Sequence, residues 1–246
     1  MTGRYSFTVI LAMVVVALGC STARHQALYP FERDGKWGYR DEDNTVVIAP
    51  RYVVAGAFSP EGIAAVADET SWAYINERGN IVIRPFIYDN GPDYFREGLA
   101  RYQSAGKLGF FDKSGCVVIP AQFDFALPFH EGLAAYCVGC TCASAGEHKM
   151  MQGGKWGFMD RSGETVILPR FDAARSFSEG LAAVRMGKRW GYISKKGEFA
   201  IEPKFENALD FKNQRALVAY GGQWLQIDTQ GKMTHCSRDA VELHER

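Results

Sequence analysis

A short phrase returns along this chain at nearly constant spacing, and that repetition limits the fold more than any other feature. Its clearest copies are Gly154-Lys155-Trp156-Gly157-Phe158-Met159-Asp160 and Lys188-Arg189-Trp190-Gly191-Tyr192-Ile193-Ser194. Weaker copies centre on Trp37, Trp72, Leu108 and Trp224, so all five tryptophans occupy one repeat position. Successive copies stand 35, 36, 48, 34 and 34 residues apart. A period of this size implies stacked or ring-arranged units, each too small to bury a core alone. Most recurring residues are then architectural.

Four residues after the Trp position stand Asp41, Asn76, Asp112, Asp160, Ser194 and Asp228, and seven after it Asn44, Gly79, Gly115, Gly163, Gly197 and Gly231. An Asp, Asn or Ser opening a turn, with Gly three later, predicts a type I turn followed by a left-handed residue, which joins antiparallel strands through a bulge. Asn44 fits, because Asn tolerates positive φ next best after Gly. The flanking segments read as strands. Trp-Gly-Tyr/Phe-Ile/Met comes first, then β-branched runs such as Thr45-Val46-Val47-Ile48 and Val117-Val118-Ile119. Each run meets a proline (Pro50, Pro85, Pro120, Pro169, Pro203) that removes a ladder donor. A loop aromatic follows (Tyr52, Tyr88, Phe123, Phe171, Phe205). A second aromatic then precedes Glu61-Gly62, Glu97-Gly98, Glu131-Gly132 and Glu179-Gly180, with Asn213-Gln214 in the fifth place. A third strand closes each unit. The recurring Glu is expected to accept backbone hydrogen bonds at its turn, since a residue needed once for chemistry would not be stamped into every unit.

These residues resemble the WG-repeat (KWG-type) proteins of bacteria, from about Gly35 to Lys232. The departures are Leu108 in place of Trp, and Ala73 and Leu225 in place of Gly. The resemblance implies architecture and no particular reaction. The expected fold is all-β, with six units of ~35 residues and about three antiparallel strands each, arranged as a propeller-like ring or a β-solenoid. Trp37, Trp72, Trp156, Trp190 and Trp224 are expected to form a core layer, with something packed closely over the Gly that follows. Leu28 precedes Trp37 by nine residues, as Ile63, Leu99 and Leu181 precede their repeat positions, so Ala27 to Phe31 reads as a lone third strand. Ring closure, the reading preferred here, requires Leu28 to contact the segment near Trp224. An open solenoid would use that strand as a cap, with Pro30 blunting its edge.

The N-terminal residues read as a targeting segment. Arg4 precedes an apolar run from Phe7 to Leu18, and Ala17-Leu18-Gly19 stands before Cys20. Small residues directly before a cysteine resemble the bacterial lipoprotein signal, in which Cys20 is acylated. Ala17 departs from the Leu more usual there, and Ser21 in place of Asp points to the outer membrane. The expected divisions are a signal at 1–19, a lipidated tether at 20–26, the repeat domain at 27–236 and a charged tail at 237–246. The expected address is the cell envelope, lipid-anchored on the periplasmic face of the outer membrane.

One step, from Leu108 to Trp156, is longer than the rest. The extra chain lies at about 137–152 and carries Cys137, Cys140, Cys142, Glu147 and His148. It reads as an inserted loop, and loops carry function more often than scaffold does. Three readings of its cysteines stay open. The first is a disulfide among Cys137, Cys140 and Cys142, with Cys116 and Cys236 as further partners, as an oxidising compartment favours. The second is a metal site of Cys137, Cys140, Cys142 and His148, although Cys-x-x-Cys-x-Cys is not a strong zinc spacing. The third is a redox dithiol, which lacks its usual strand-helix setting. Glu147 and His148 are candidate contact residues of the loop. No catalytic residue is assigned and no cofactor is expected. Gly-x-Ser-x-Gly, a phosphate-cradling loop and His-Glu-x-x-His do not occur. Lys plus Arg and Asp plus Glu are 28 each, which argues against nucleic acid as a partner. The expectation is therefore a non-enzymatic envelope lipoprotein presenting loops to another envelope protein. Its rival is a cell-wall or glycan-binding module using the loop aromatics.

Overall fold

The computed structural model describes residues 27–88, 91–145 and 148–234, without the side chains of 88, 142–150 and 234. The signal segment with Cys20, most of the tether, Glu147, Cys236 and the tail lie outside the described residues. Every regular element described is a strand. β1 (Tyr29–Arg33), β2 (Lys36–Arg40) and β3 (Val46–Tyr52) form a first sheet; β4 (Val54–Ala55), β5 (Ile63–Ala67), β6 (Trp72–Asn76) and β7 (Ile81–Ile83) form a second. β8 (Ile87–Tyr88) and β9 (Gly91–Pro92) pair by themselves. β10 (Leu99–Ser104), β11 (Lys107–Asp112) and β12 (Val117–Phe123) make the third sheet; β13 (Phe125–Ala126), β14 (Leu133–Ala145), β15 (His148–Asp160) and β16 (Thr165–Phe171) make the fourth. β17 (Ala173–Ser178), β18 (Leu181–Met186), β19 (Arg189–Ser194) and β20 (Phe199–Phe205) make the fifth; β21 (Asn207–Ala208), β22 (Arg215–Tyr220), β23 (Gln223–Asp228) and β24 (Met233–Thr234) make the sixth. The fold is all-β, a series of small antiparallel sheets with strands in chain order.

Two kinds of turn build each sheet. The turn after the Trp strand is the one the Asp-x-x-Gly spacing predicts. Gly115 N donates to Asp112 O at 3.0 Å, and Asp112 Oδ1 accepts from the backbone of Ser114 and Cys116. Gly115 has φ +83°, and Asn44, in the same slot, has φ +61°. The turn before several Trp strands is a second device that the spacing did not reveal. In Asp34-Gly35, Ala105-Gly106 and Gly221-Gly222 both residues have positive φ, as a two-residue type I′ hairpin requires.

The glycine after Trp has a steric cause. A Cβ on Gly157 would lie 2.5 Å from Ile167 O and 2.8 Å from Pro169 N, and Gly38 and Gly191 meet the same backbone in their own sheets. The edge strand bulges there and folds its end over the Trp strand, so Trp156 faces Phe171 and Trp190 faces Phe205. In the second sheet the slot holds Ala73. There β7 ends at Ile83, pairing reaches only Tyr74↔Ile83 and Ile75↔Ile81, and the chain leaves to form β8–β9.

Neighbouring sheets are joined by the hairpin glycines. Gly163 lies against Ile119, Gly197 against Ile167 and Gly231 against Ile201, each time the turn of one sheet on the buried Ile of the sheet before. Arg51 Nη2 and Arg170 Nη2 donate to Gly79 O at 2.7 Å and Gly197 O at 2.5 Å across the same seams. The recurring Glu does accept backbone hydrogen bonds, but from the following sheet rather than its own turn. Glu97 accepts from Gly132 N at 3.0 Å and Glu131 from Gly180 N at 3.0 Å, while Glu179 takes both Asn213 N and Gln214 N at 2.6 Å.

The Trp layer expected in the core is corrected by the structure. Trp156 alone is buried; Trp37, Trp72 and Trp190 are half-buried and Trp224 is exposed. The core position is two residues further on, where Tyr39, Phe110, Phe158 and Tyr192 have no exposed surface. The two positions share one face of the strand; the Trp stands opposite the last aromatic of the edge strand, as Trp156 does opposite Phe171, and the later aromatic stands opposite the buried Ile, as Phe158 does opposite Ile167. Tyr39 and Tyr192 still satisfy their hydroxyls, which donate to Gly56 O and Leu209 O. The loop aromatics Tyr52, Phe123, Phe171 and Phe205 are buried as well, held at the folded-over ends of the edge strands.

The closure expected at Leu28 is not shown among the described residues. β1 pairs with β2 in its own sheet, and Leu28 is buried among Tyr39, Ile48, Tyr52 and Ile75 of the first two sheets. The sixth sheet is built from its own four strands.

Candidate functional site: the ribbon in the fourth sheet

The long step between repeats is a ribbon, not a loop. β14 and β15 run on together past the sheet, in register from Leu133↔Asp160 to Ala145↔His148. The splice point is sharp. Arg185 faces Trp190 in the fifth sheet as Cys137 faces Trp156 in the fourth. Gly139 therefore stands where Gly187 makes the ordinary turn, and 140–153 is the added chain.

The neck of the ribbon keeps the contacts of an ordinary turn. Gly187 N donates to Asp172 Oδ2 at 2.6 Å, and Gly139 N donates to Asp124 Oδ2 at 2.6 Å. The other oxygen of each aspartate takes the lysine that precedes the repeat position, Lys155 on Asp172 at 2.6 Å and Lys107 on Asp124. This gives the Lys of Lys-Trp-Gly its role, as a tie to the carboxylate that holds the next sheet's turn. The Lys107 ammonium, with the Gly139 amide, holds Asp124 below the usual carboxylate range against a burial effect of opposite sign. Lys155 does the same for Asp172.

Three glycines with positive φ meet at this neck: Gly139 (+76°), Gly153 (+69°) and Gly154 (+66°). The pairing passes from Val138↔Lys155 to Cys140↔Gly153 without a register shift, so Gly139 and Gly154 stand opposite each other, both in the left-handed region. A Cβ on Gly154 would lie 2.5 Å from Cys140 N. The left-handed backbone at Gly139 and Gly154 interrupts the regular strand alternation, and Cys137 and Cys140 share one side. Both are buried in a cluster with Trp156, Phe158, Phe171 and Phe177. Burial raises the titration of both thiols, and their mutual contact adds to the rise at Cys137.

The two cysteines are free thiols here, where the spacing suggested a disulfide. Cys116, named as an alternative partner, is disulfide-bonded. Register places Cys142 opposite Met151 and His148 opposite Ala145, their side chains lying outside the described residues, as does Glu147 entirely. Among the described residues no three His, Cys, Asp or Glu side chains gather as a metal site.

A second irregular feature, without any signal in the spacing, adjoins this neck. Arg101 stands where Ala65, Ala135 and Ala183 stand in the second, fourth and fifth sheets, and it is buried with Asp93. Its Nη2 and Nε reach Asp93 at 2.7 and 2.8 Å, and its Nη1 donates to Ala126 O at 2.9 Å. The guanidinium lies over Phe86 and beside Phe125, and Phe125 in turn meets Trp156. The pair anchors the β8–β9 hairpin that Ala73 displaces. A lone Arg within an apolar strand gives no hint of its partner, and only the displaced strand end could have marked the place.

The solved structures most like this chain include a eukaryotic initiation factor, with a TM-score of 0.42, 11% identity, and coverage of 85% of this chain and 62% of that one. They also include PorZ, a surface component of the type-IX secretion system of Porphyromonas gingivalis, with a TM-score of 0.29, 11% identity, and coverage of 87% and 38%. The chain thus spans less than two thirds of either, and neither likeness bears on what it does. No curated protein matches the sequence. The family model of the WG containing repeat matches residues 37–68, 72–107, 109–139, 156–190 and 190–224. Those five matches take in more than half of the chain, so it belongs to the WG-containing-repeat family.

Proposed function

We propose that this chain is an exported, lipid-anchored envelope protein. Its array of small sheets holds the 140–153 ribbon out for contact with another protein, and it catalyses no reaction. The observation that carries the reading is the splice at Gly139, where the array's own contacts hold the neck and 140–153 is added without disturbing either neighbouring sheet. The disulfide at Cys116 supports an oxidising compartment. Small residues before Cys20 support acylation there, on the periplasmic face of the outer membrane.

The glycan reading is not carried forward, because four of its five loop aromatics, Tyr52, Phe123, Phe171 and Phe205, are buried, and the side chain of Tyr88 lies outside the described residues. We also infer an open array. Asn44 carries a Cβ where inner turns carry Gly against a neighbour, and Asn213-Gln214 lacks the Glu that other turns pass forward.

The ribbon is tested by deleting 140–153, so that Gly139 joins Gly154 as a two-residue turn. The deletion should fold with little loss of stability. It should also abolish the crosslinked adduct that a photoreactive residue at position 145 gives in intact cells. An adduct that survives the deletion, trapped from position 168, would place the contact elsewhere. For the anchor, Cys20→Ser should move the protein from the membrane fraction to the soluble one. A peptide in which Cys20 is disulfide-linked to Cys116 would refute acylation.

A further inference from the structure

We propose that Cys137 and Cys140 form an intramolecular disulfide across the Gly139–Gly154 neck, and that this bond governs how freely the ribbon moves on it. The free thiols of the structure are its reduced form.

The two cysteines belong to different parts of the molecule. Cys137 is fixed in the sheet, paired with Phe125 on one side and Trp156 on the other. Cys140 is the first residue of the ribbon and pairs with Gly153 alone. Between them is Gly139, and across from it stands Gly154, both in the left-handed region that gives a backbone its widest freedom. A bond from Cys137 to Cys140 therefore spans the hinge. Both cysteines already lie in the same buried cluster, which sets the two sulfurs on one side of the hinge.

The surroundings choose among the uses of two thiols. A resting nucleophile or a soft-cation site requires a standing thiolate, which burial in this aromatic cluster, with the Asp124 carboxylate beside it, disfavours while the neck is closed. A disulfide is neutral and suits that cluster. The oxidant is a low-molecular-weight or protein disulfide, R–S–S–R. Cys140 thiolate attacks it, forming a mixed disulfide and releasing RS⁻. Cys137 thiolate then attacks the Cys140 sulfur, forms the internal bond and releases the second RS⁻. The two protons lost by the cysteines end on the two RS⁻ groups, so two thiols are oxidised as one disulfide is reduced. Burial slows the first attack in the closed neck, so exchange requires opening of the ribbon.

The inference rests on the reading of the ribbon as a moving contact element, but its test uses neither the partner nor the membrane. The purified chain is equilibrated with glutathione disulfide or with dithiothreitol, then quenched in acid, unfolded, alkylated and mapped by mass. After oxidation, the peptide holding Cys137 and Cys140 should resist alkylation and weigh two hydrogens less. Amide exchange across 140–153 should slow on oxidation by at least about tenfold. The double variant Cys137→Ala/Cys140→Ala keeps the Cys116 bond and should show no redox effect on the ribbon, with exchange in β18 and β19 as the check on folding. Alkylation of both cysteines in the oxidised sample overturns the proposal. So does a Cys142 bond to either cysteine, or ribbon exchange that ignores oxidation.

Discussion

Replacing Gly157 by Ala tests why a glycine follows the tryptophan. Gly157 is not among the residues with positive φ, so Ala is permitted by the backbone there. By unfolded-state entropy alone, Gly→Ala would stabilise by about 0.4–1 kcal/mol. The structure predicts the opposite sign. The new methyl would meet Ile167 O at 2.5 Å, Pro169 N at 2.8 Å and Leu168 C at 3.0 Å, and all three are backbone. If the edge strand gives way slightly, the cost is that of overpacking, about 1–3 kcal/mol. If its end lifts away as in the second sheet, Phe171 leaves a site where it is fully buried, a loss of about 3–5 kcal/mol. A loss near 3 kcal/mol lowers Tm by about 6–12 °C in a chain of this size. The assay is thermal unfolding measured by circular dichroism, together with the fluorescence of Trp156, which should shift to the red as its facing aromatic departs. Ala73→Gly is the control, because the slot in the second sheet has already lost its overlying strand. That change should cost no more than about 1 kcal/mol. A Gly157→Ala protein with Tm equal to or above the parent would refute the steric account.

The same contacts give three more expected outcomes. Arg101→Met leaves the Asp93 carboxylate buried without its partner and should cost about 3–5 kcal/mol; adding Asp93→Leu should recover most of it, as chemical denaturation would show. Gln214 has φ +59° in a slot that is Gly in the other turns, so Gln214→Gly should raise Tm through relief worth about 0.5–1 kcal/mol net. For pH, Asp124, Asp172 and Glu131 titrate below their ordinary values. The unfolded chain then binds more protons over that range, so their stabilisation is present above about pH 4 and is lost as pH falls through the lower folded values. Tm measured from about pH 7 to 3 should be flat and then drop, and Asp172→Asn should shrink the drop.

Much of the architecture was legible because turns are local. The Asp-x-x-Gly spacing located the hairpins, and Asn44 identified a backbone demand rather than a side-chain one. What was not legible depends on neighbours distant along the chain. Glu97 binds Gly132 and Glu131 binds Gly180, so the sequence shows a Glu at a turn but not whose amide it holds. The role of Lys in Lys-Trp-Gly was hidden for the same reason, since Lys155 meets Asp172 only after the edge strand folds over. Cys140 to Ala145 carries no apolar-polar alternation, so it read as a loop although it pairs as a strand. Arg101 gave no sign of its partner because the β8–β9 hairpin exists only where Ala73 has closed off the usual path.

The seating of Gly139 bears on how such chains diversify. Asp124 grips one amide and is indifferent to the residues beyond it, as Asp172 is at Gly187 and Glu206 at Gly222, where the carboxylate takes the amide at 3.1 Å. These turns behave as sockets on a rack: cargo of arbitrary length can be plugged in while the rack keeps its pitch. The ribbon is one occupied socket. Gly187 and Gly222 are vacant ones, where a foreign hairpin ought to be displayed without any redesign of the sheets beneath.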